Sequence, residues 1–141
     1  MKSNGLLLDT HAWIWVALGH ERMAKSSGRK TVEKAFKEKA LFLSAISLWE
    51  LSMLESKGRI ALTEPCLDWI QTSLARLQIE VLPLSAEVAV ESSRLPGGFH
   101  GDPADRIIVA TARKERLQLM TQDELILSYG KQGLIKTITC Y

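Results

Sequence analysis

The sequence contains few cysteines and no long apolar segment, and both absences exclude whole classes of protein. Cys66 and Cys140 are too few for a disulfide framework, and neither lies in a Cys-x-x-Cys or Cys/His cluster that would bind zinc. No run approaches the roughly 18 uncharged apolar residues that a membrane-spanning helix needs. Asp9 and His11 interrupt the apolar start, and no small-residue cleavage site follows, which argues against a secretory signal. We therefore expect a cytoplasmic protein.

Several common catalytic signatures are also missing. The chain has no Gly-x-x-x-x-Gly-Lys-Ser/Thr phosphate-binding loop and no Gly-x-Gly-x-x-Gly turn, which argues against a kinase or a dehydrogenase. It has no Gly-x-Ser-x-Gly nucleophile elbow, and neither cysteine has the setting of a nucleophile. Catalysis, if there is any, must depend on other side chains.

The length of 141 residues is typical of one domain, which we place over residues 1–141. The 18 basic and 16 acidic residues give a formal net charge of +2, which by itself indicates no class of partner. The charges are segregated, because residues 21–39 hold seven basic residues and three glutamates. A solvated helix face is the ordinary interpretation of this segment, and a surface that follows an RNA backbone from Arg22 to Lys39 is the alternative.

Short apolar runs alternate with helical patterns, which predicts an α/β domain with a short, mainly parallel sheet. The predicted strands are Leu6–Leu8, Leu41–Leu43, Ile79–Leu82 and Leu117–Met120, with a possible edge strand at Ile135–Thr139. The predicted helices are Thr10–Leu18, Lys30–Lys39, Leu48–Lys57, Cys66–Leu77, Ala86–Arg94, Pro103–Arg116 and Glu124–Tyr129.

Five acidic residues follow predicted strands or begin predicted helices: Asp9, Glu50, Asp102, Asp105 and Asp123. Each fits a structural role by itself. Asp9 and Asp123 fit helix N-caps. Residues 47–50 fit a capping box, and residues 102–105 fit an N-cap followed by a proline and a first-turn acid.

The shared position of these acids also favours a functional role. In an open parallel sheet the carboxyl ends of the strands lie along one edge, where ligand crevices form. Carboxylates gathered there repel one another, so such a cluster either has raised pKa values or binds a cation. Oxygen ligands without histidine or cysteine select Mg²⁺ or Mn²⁺. The pattern therefore indicates metal-assisted hydrolysis of phosphodiesters.

The aromatic residues carry weaker predictions. Trp13, Trp49 and Trp69 lie on predicted helices among apolar neighbours, so we expect them to pack in a core or an interface. Phe99 lies in the glycine-rich loop of residues 95–101 and is a candidate for stacking on a base or contacting a partner. His11 either lies at the mouth of the acidic cleft or has a local role on its helix.

Four segments at strand ends or helix starts occur in a recognisable order: residues 6–12, 44–51, 95–106 and 121–124. With these segments the chain resembles the PIN-domain proteins, and specifically the VapC-type ribonuclease toxins of type II toxin–antitoxin pairs. The resemblance covers nearly the whole length. It implies a three-layer α/β/α fold around a parallel sheet, Mg²⁺ or Mn²⁺ in an acidic cleft, and cleavage of RNA.

The resemblance also implies roles for individual residues. Asp9 and Asp105 would be the principal metal ligands, and Glu50 and Asp123 would complete the negative site. Glu50 is our choice for the group that orients or deprotonates the attacking water, although the sequence does not separate it from Asp123.

Three further residues would support the site. Thr121 would hold a carboxylate or a water molecule through its hydroxyl. Asp102 is an extra acid that we interpret as a cap or a supporting residue. Arg106 would pair with an acid or contact a substrate phosphate.

The implied partners are an RNA substrate, a second copy of the chain in a homodimer, and a small antitoxin that fills the acidic cleft with a basic side chain. One alternative is a PIN nuclease that processes RNA without an antitoxin. Another is a catalytically silent PIN domain used as a binding subunit. The single bare domain favours the toxin, and the four intact acids argue against the silent subunit.

Overall fold

The computed structural model describes residues 5–19 and 27–141, and within them a five-stranded sheet forms the centre of the domain. Its strands are β1 (Leu6–Leu8), β2 (Leu41–Ser44), β3 (Glu80–Leu82), β4 (Gln118–Met120) and β5 (Lys136–Ile138). The strand order is β3-β2-β1-β4-β5, and every neighbouring pair is parallel. The carboxyl ends of all five strands therefore lie along one edge.

Helices connect these strands, as parallel pairing requires. The described helices are α1 (Thr10–Leu18), α2 (Ser27–Lys37), α3 (Ala45–Ser56), α4 (Cys66–Leu77), α5 (Ala86–Ser92), α6 (Pro103–Glu115) and α7 (Glu124–Lys131). In the part of the chain that the structure describes, none of them has the length and apolar character to cross a membrane.

The helices cover both faces of the sheet, because successive strand residues point to opposite sides. Leu6 and Leu8 of β1 belong to one core, which contains residues of α1 to α4 such as Trp13 and Leu51. Leu7 belongs to the other core, which contains residues of α5 to α7 such as Ile108. Two cores separated by a sheet make three layers, so the predicted α/β/α architecture is confirmed.

The predicted strands agree with the observed ones to within one residue at each end, and the possible edge strand is confirmed as β5 beside β4. The start of α3 was predicted wrongly. Ser44 at the end of β2 is the N-cap, and its side chain accepts a hydrogen bond from the backbone N–H of Ile46 at 3.3 Å. Ser47 is consequently a fully buried residue within the helix, so residues 47–50 do not form a capping box.

Two aromatic predictions are confirmed and one is wrong, while the place of Trp49 in an interface stays a prediction. Trp13 and Trp69 pack against each other in one core, with ring centroids 5.4 Å apart. Trp49 is 56% exposed and does not belong to a core. Phe99 is 6% exposed and packs edge-on against Tyr129, with centroids 5.1 Å apart, so it offers no face to a base.

Gly101 explains why the loop around Phe99 folds inward. A Cβ at this position would lie 2.4 Å from the Phe99 ring, so the absence of a side chain lets the ring reach the core. Gly101 therefore allows the burial of Phe99, whereas a glycine-rich loop predicts exposure.

The basic segment lies partly outside the described residues, since Arg22 and Lys25 are not among them. In the described part Arg29, Lys30, Lys34 and Lys37 are exposed along α2, which is compatible with both interpretations of this segment. Arg29 donates to Glu33 one turn later at 2.6 Å.

Candidate active site at the carboxyl edge of the sheet

A cleft of about 350 Å³ opens where β1, β2 and β4 end and their following helices begin. All five acids singled out in the sequence contribute to its wall, together with three neighbours. The lining residues are Asp9, His11, Trp15, Glu50, Asp102, Asp105, Gln122 and Asp123. The structure thus brings the acids to one place, while their roles in catalysis and metal binding stay predictions.

Asp9 is the most buried of these acids, with 7% of its surface exposed. It is the N-cap of α1, where its Oδ1 accepts a hydrogen bond from the backbone N–H of Thr10 at 2.8 Å. Burial raises the pKa of Asp9, although hydrogen bonds from Thr121 and Thr10 and the charge of His11 act in the opposite direction. A cation in the cleft would favour the ionised form of this carboxyl.

Thr121 connects two of the acids. It is fully buried, and its hydroxyl donates to Oδ2 of Asp9 at 2.7 Å. Oγ1 of Thr121 also accepts a hydrogen bond from the backbone N–H of Asp123 at 3.0 Å. Asp123 in turn caps α7, since its Oδ1 accepts from the backbone N–H of Ile126 at 3.0 Å. Thr121 therefore fixes the first carboxylate relative to the start of α7.

Thr10, which the sequence did not single out, holds Glu50, and Ser47 contacts Thr10. Oγ1 of Thr10 lies 2.5 Å from Oε1 of Glu50 and 2.8 Å from Oγ of Ser47. Because a hydroxyl carries one proton, Thr10 donates to the carboxylate and accepts from Ser47. Thr10 is 1% exposed and Ser47 is fully buried. Only the position of Thr10 directly after Asp9 could have drawn attention to it.

The environment of Glu50 weakens its acidity. Burial raises its pKa most, and the nearby charges of Asp9 and Asp102 raise it further. The hydrogen bond from Thr10 and the charge of His11 lower it, but the net direction is upward.

Asp105 shows the mutual repulsion of the cluster most clearly. Burial is the largest cause that raises its pKa to about 7, and the charges of four acids add to it: Asp102, Asp9, Asp123 and Glu50. Asp102 is exposed and caps α6, because its Oδ1 accepts from the backbone N–H of Asp105 at 2.9 Å. The predicted N-cap at Asp102 is confirmed.

The donor chemistry of the cleft fits Mg²⁺ or Mn²⁺, because its acidic side chains offer only oxygen atoms and repel one another. Within residues 5–19 and 27–141, however, no three His, Cys, Asp or Glu side chains are already arranged as a metal-binding group. The match between the cleft and a metal ion therefore rests on the oxygen donors of the acids and on the repulsion between their carboxylates.

Arg106 and His11 take different positions around the cleft. The Arg106 guanidinium donates to the backbone carbonyls of Gly101 at 3.1 Å and Ser92 at 3.4 Å, so it ties the loop before α6 to the end of α5. In these hydrogen bonds the Arg106 guanidinium contacts backbone carbonyls and not an acidic side chain. His11 is exposed at the mouth of the cleft, one of the two positions expected for it.

Comparison with known proteins agrees with this fold. The model of the PIN domain family matches residues 6–131. A curated relative from Mycobacterium tuberculosis, named Ribonuclease VapC22, is 35% identical over 124 residues, which are 88% of this chain and 91% of that protein.

Solved structures with the same fold include two complexes. A DNA-bound VapBC from Salmonella typhimurium is 18% identical with a TM-score of 0.70, and the match covers 97% of this chain and 98% of that chain. A toxin–antitoxin complex from Klebsiella pneumoniae is 22% identical with a TM-score of 0.62, covering 97% and 98%. The family model, the relative and the fold agree: this chain belongs to the PIN domain family and, within it, to the VapC-type proteins.

Proposed function

We propose that the protein is a divalent-cation-dependent endoribonuclease and the toxin of a type II toxin–antitoxin pair. The observation that carries this proposal is the gathering of Asp9, Glu50, Asp105 and Asp123 in one cleft, where repulsion contributes to raising the pKa of Asp105 to about 7. The 35% identity to a protein named as a ribonuclease supports RNA as the substrate.

Asp9 and Asp105 are the residues that would hold Mg²⁺ or Mn²⁺. Asp9 is fixed by two hydrogen bonds, and Asp105 is the acid whose pKa is raised by burial and by the other four carboxylates. When bound, the ion would activate water and stabilise the charge that develops on the phosphate.

Glu50 is the residue that we assign to the attacking water. Its carboxylate lines the cleft on α3, a different helix from α1 and α6, so it approaches the cleft from another side than Asp9 and Asp105. A carboxyl with a raised pKa is a better proton acceptor near neutral pH than an ordinary one. Thr10 fixes one of its oxygens, which leaves the other to accept a proton from water.

We also propose that a small antitoxin inhibits the enzyme by placing a basic side chain in the acidic cleft. A solved structure with the same fold is a toxin–antitoxin complex. A lysine or arginine side chain would relieve the repulsion around Asp105 in the same way as a metal ion. A homodimer and a cytoplasmic location belong to the same proposal and stay predictions.

Removing the charge of Asp9 tests the nuclease. In Asp9→Asn we expect metal-dependent cleavage of total cellular RNA to fall to background and growth inhibition to disappear, because the variant loses a metal ligand while the N-cap is kept. The measurement is mapping of fragment ends with Mg²⁺, Mn²⁺ or EDTA. Glu64→Gln, an exposed acid outside the cleft, is the matched control. Cleavage by pure, folded Asp9→Asn at the wild-type rate would contradict the assignment.

The hydroxyl of Thr10 provides a second test. Thr10→Val keeps the side-chain shape but removes the hydrogen bond to Glu50, and we expect kcat to fall by about 10- to 100-fold with little change in KM. Thr10→Ser keeps the hydroxyl and should retain most of the activity. Equal kcat values for the valine and serine variants would show that Thr10 has no positioning role.

The raised pKa of Asp105 predicts a pH-dependent stability without metal. Its carboxyl has a pKa of about 7 in the folded state and an ordinary value of 3.8 in the unfolded state. Between these two pH values the folded state therefore keeps a proton that the unfolded state releases. The contribution to stability is fully present below pH 3.8 and is lost as the pH rises through 7. Asp105→Asn should therefore become progressively more stable than wild type over this range, by about 1–2 kcal/mol above pH 7, since solvent screens a half-exposed carboxyl.

Urea unfolding in EDTA at several pH values measures this difference, with Glu64→Gln as the control. Mg²⁺ should raise the stability of the wild type at pH 8 and leave Asp105→Asn largely unchanged. A difference between wild type and Asp105→Asn that is constant with pH would show that Asp105 does not carry the repulsion.

The antitoxin proposal predicts competition for the cleft. A candidate antitoxin co-expressed with the toxin should restore growth, and its affinity for the purified toxin should fall by about 10-fold in Asp105→Asn, because a basic side chain loses its partner. Isothermal titration measures the affinity, and Glu64→Gln should bind like the wild type. Binding that is indifferent to Asp105 and to Mg²⁺ concentration would place the antitoxin away from the cleft.

A further inference from the structure

Two aromatic side chains line the acidic cleft, a third packs against one of them, and none of the three has been given a role above. His11 and Trp15 line the cleft together with the acids. Tyr141, at the end of the chain, packs against Trp15. We call His11, Trp15 and Tyr141 the aromatic ledge.

The ledge follows from the spacing of residues on α1. His11 and Trp15 are four residues apart and therefore lie on the same face of the helix. Their ring centroids are 6.2 Å apart with planes inclined by 52°, and those of Trp15 and Tyr141 are 5.8 Å apart with the same inclination. The three rings thus form an angled surface that starts two residues after Asp9.

The ledge is accessible from the cleft. His11 is exposed, Tyr141 is 41% exposed, and Trp15 is half-buried with part of its surface in the cleft wall. Trp13, two residues before Trp15, is in contrast fully buried in the core. Trp13 therefore lies inside the core, whereas Trp15 packs partly against that core and partly lines the cleft beside the carboxylates.

The ledge lies close enough to the acids to meet a base of an RNA strand whose phosphate enters the cleft. A phosphate that lies against Asp9, Glu50 and Asp105 brings its attached nucleosides into the same cleft. Only an unpaired nucleotide can present the face of its base to a protein ring, because a base in a duplex is stacked on both sides. Stacking on an aromatic side chain contributes about 1–3 kcal/mol per base and tolerates different bases.

We propose that the aromatic ledge stacks on the unpaired base next to the scissile phosphate and so holds the substrate strand in the cleft. The inference rests on the proposed ribonuclease activity, since it names the residues that position the substrate of that activity. The ledge positions the substrate and takes no part in the chemical step. Its loss should raise KM and leave kcat nearly unchanged.

The experiment compares four variants on a short labelled RNA that carries a cleavage site mapped in total RNA. Trp15→Leu removes the largest ring, Trp15→Phe keeps an aromatic face, and Tyr141→Leu removes the ring that packs against Trp15. Trp49→Leu is the matched control, because Trp49 is 56% exposed but is not among the cleft-lining residues. Thermal unfolding of each variant checks its fold.

We expect KM to rise by about 5- to 150-fold in Trp15→Leu, which corresponds to the loss of one stacked base, and less in Trp15→Phe and Tyr141→Leu. Trp49→Leu should match the wild type. In an Asp9→Asn background, which binds without cutting, the single-stranded RNA should bind more tightly than the same RNA annealed to its complement. Trp15→Leu should reduce this preference.

Three results would overturn the inference while leaving the ribonuclease intact: an unchanged KM in Trp15→Leu and Tyr141→Leu, an equal rise in Trp49→Leu, or equal binding of single-stranded and duplex RNA. A fall in kcat alone would assign Trp15 to the structure of the cleft and would also contradict stacking. If the wild type cleaves no RNA under any metal condition, the proposed function itself fails, and the two failures are thereby distinguished.

Discussion

The carboxylate of Asp9 is buried where the neighbouring strands β1 and β4 end, and the geometry of the cleft depends on the hydrogen bonds that this carboxylate accepts. The backbone N–H of Asp9 donates to the carbonyl of Met120 at 3.0 Å, which extends the pairing of β1 with β4. The hydroxyl of Thr121, the residue after Met120, then reaches Oδ2 of the same aspartate. Sheet pairing and carboxylate position are consequently fixed together, since a buried charge without such donors would destabilise the fold.

When ionised, the other acids lower the stability of the fold. Glu50 and Asp105 both have raised pKa values, for which burial and neighbouring carboxylates are responsible. A cation, whether a metal ion or a basic side chain, would reverse the sign of this interaction. The same electrostatic feature would therefore underlie the proposed metal binding, the proposed inhibition by an antitoxin, and the expected loss of stability of the metal-free protein at higher pH. Ligand binding and stability are linked, so these three properties should change together.

The sequence predicted that the acids gather at one edge of the sheet because this gathering depends on topology. Asp9 and Asp123 follow apolar strands, and parallel pairing necessarily brings the ends of such strands to one edge. The sequence did not predict the contacts within the site. Ser47 was assigned to a cap because Ser-x-x-Glu is a common helix start, whereas Ser44 has that role and Ser47 supports Thr10.

Aromatic residues were misplaced for a related reason. Phe99 was expected beside the cleft because glycines surround it, but Gly101 gives its ring room to enter the core. Trp15 was overlooked within an apolar run, although its four-residue spacing from His11 places it at the cleft. Whether an aromatic side chain lies inside or outside depends on the packing of distant segments, which periodicity does not reveal.

The central claim is that the acids of the cleft act as one cation site. Titration of Mn²⁺ into the purified protein, followed through paramagnetic broadening of the side-chain carboxyl resonances of Asp and Glu, tests it most directly. The account predicts that Asp9 and Asp105 broaden first and together, followed by Glu50 and Asp123, and that Mg²⁺ in excess reverses the effect. Broadening that begins at acids outside the cleft, such as Glu64, or that leaves Asp9 and Asp105 sharp, would contradict it.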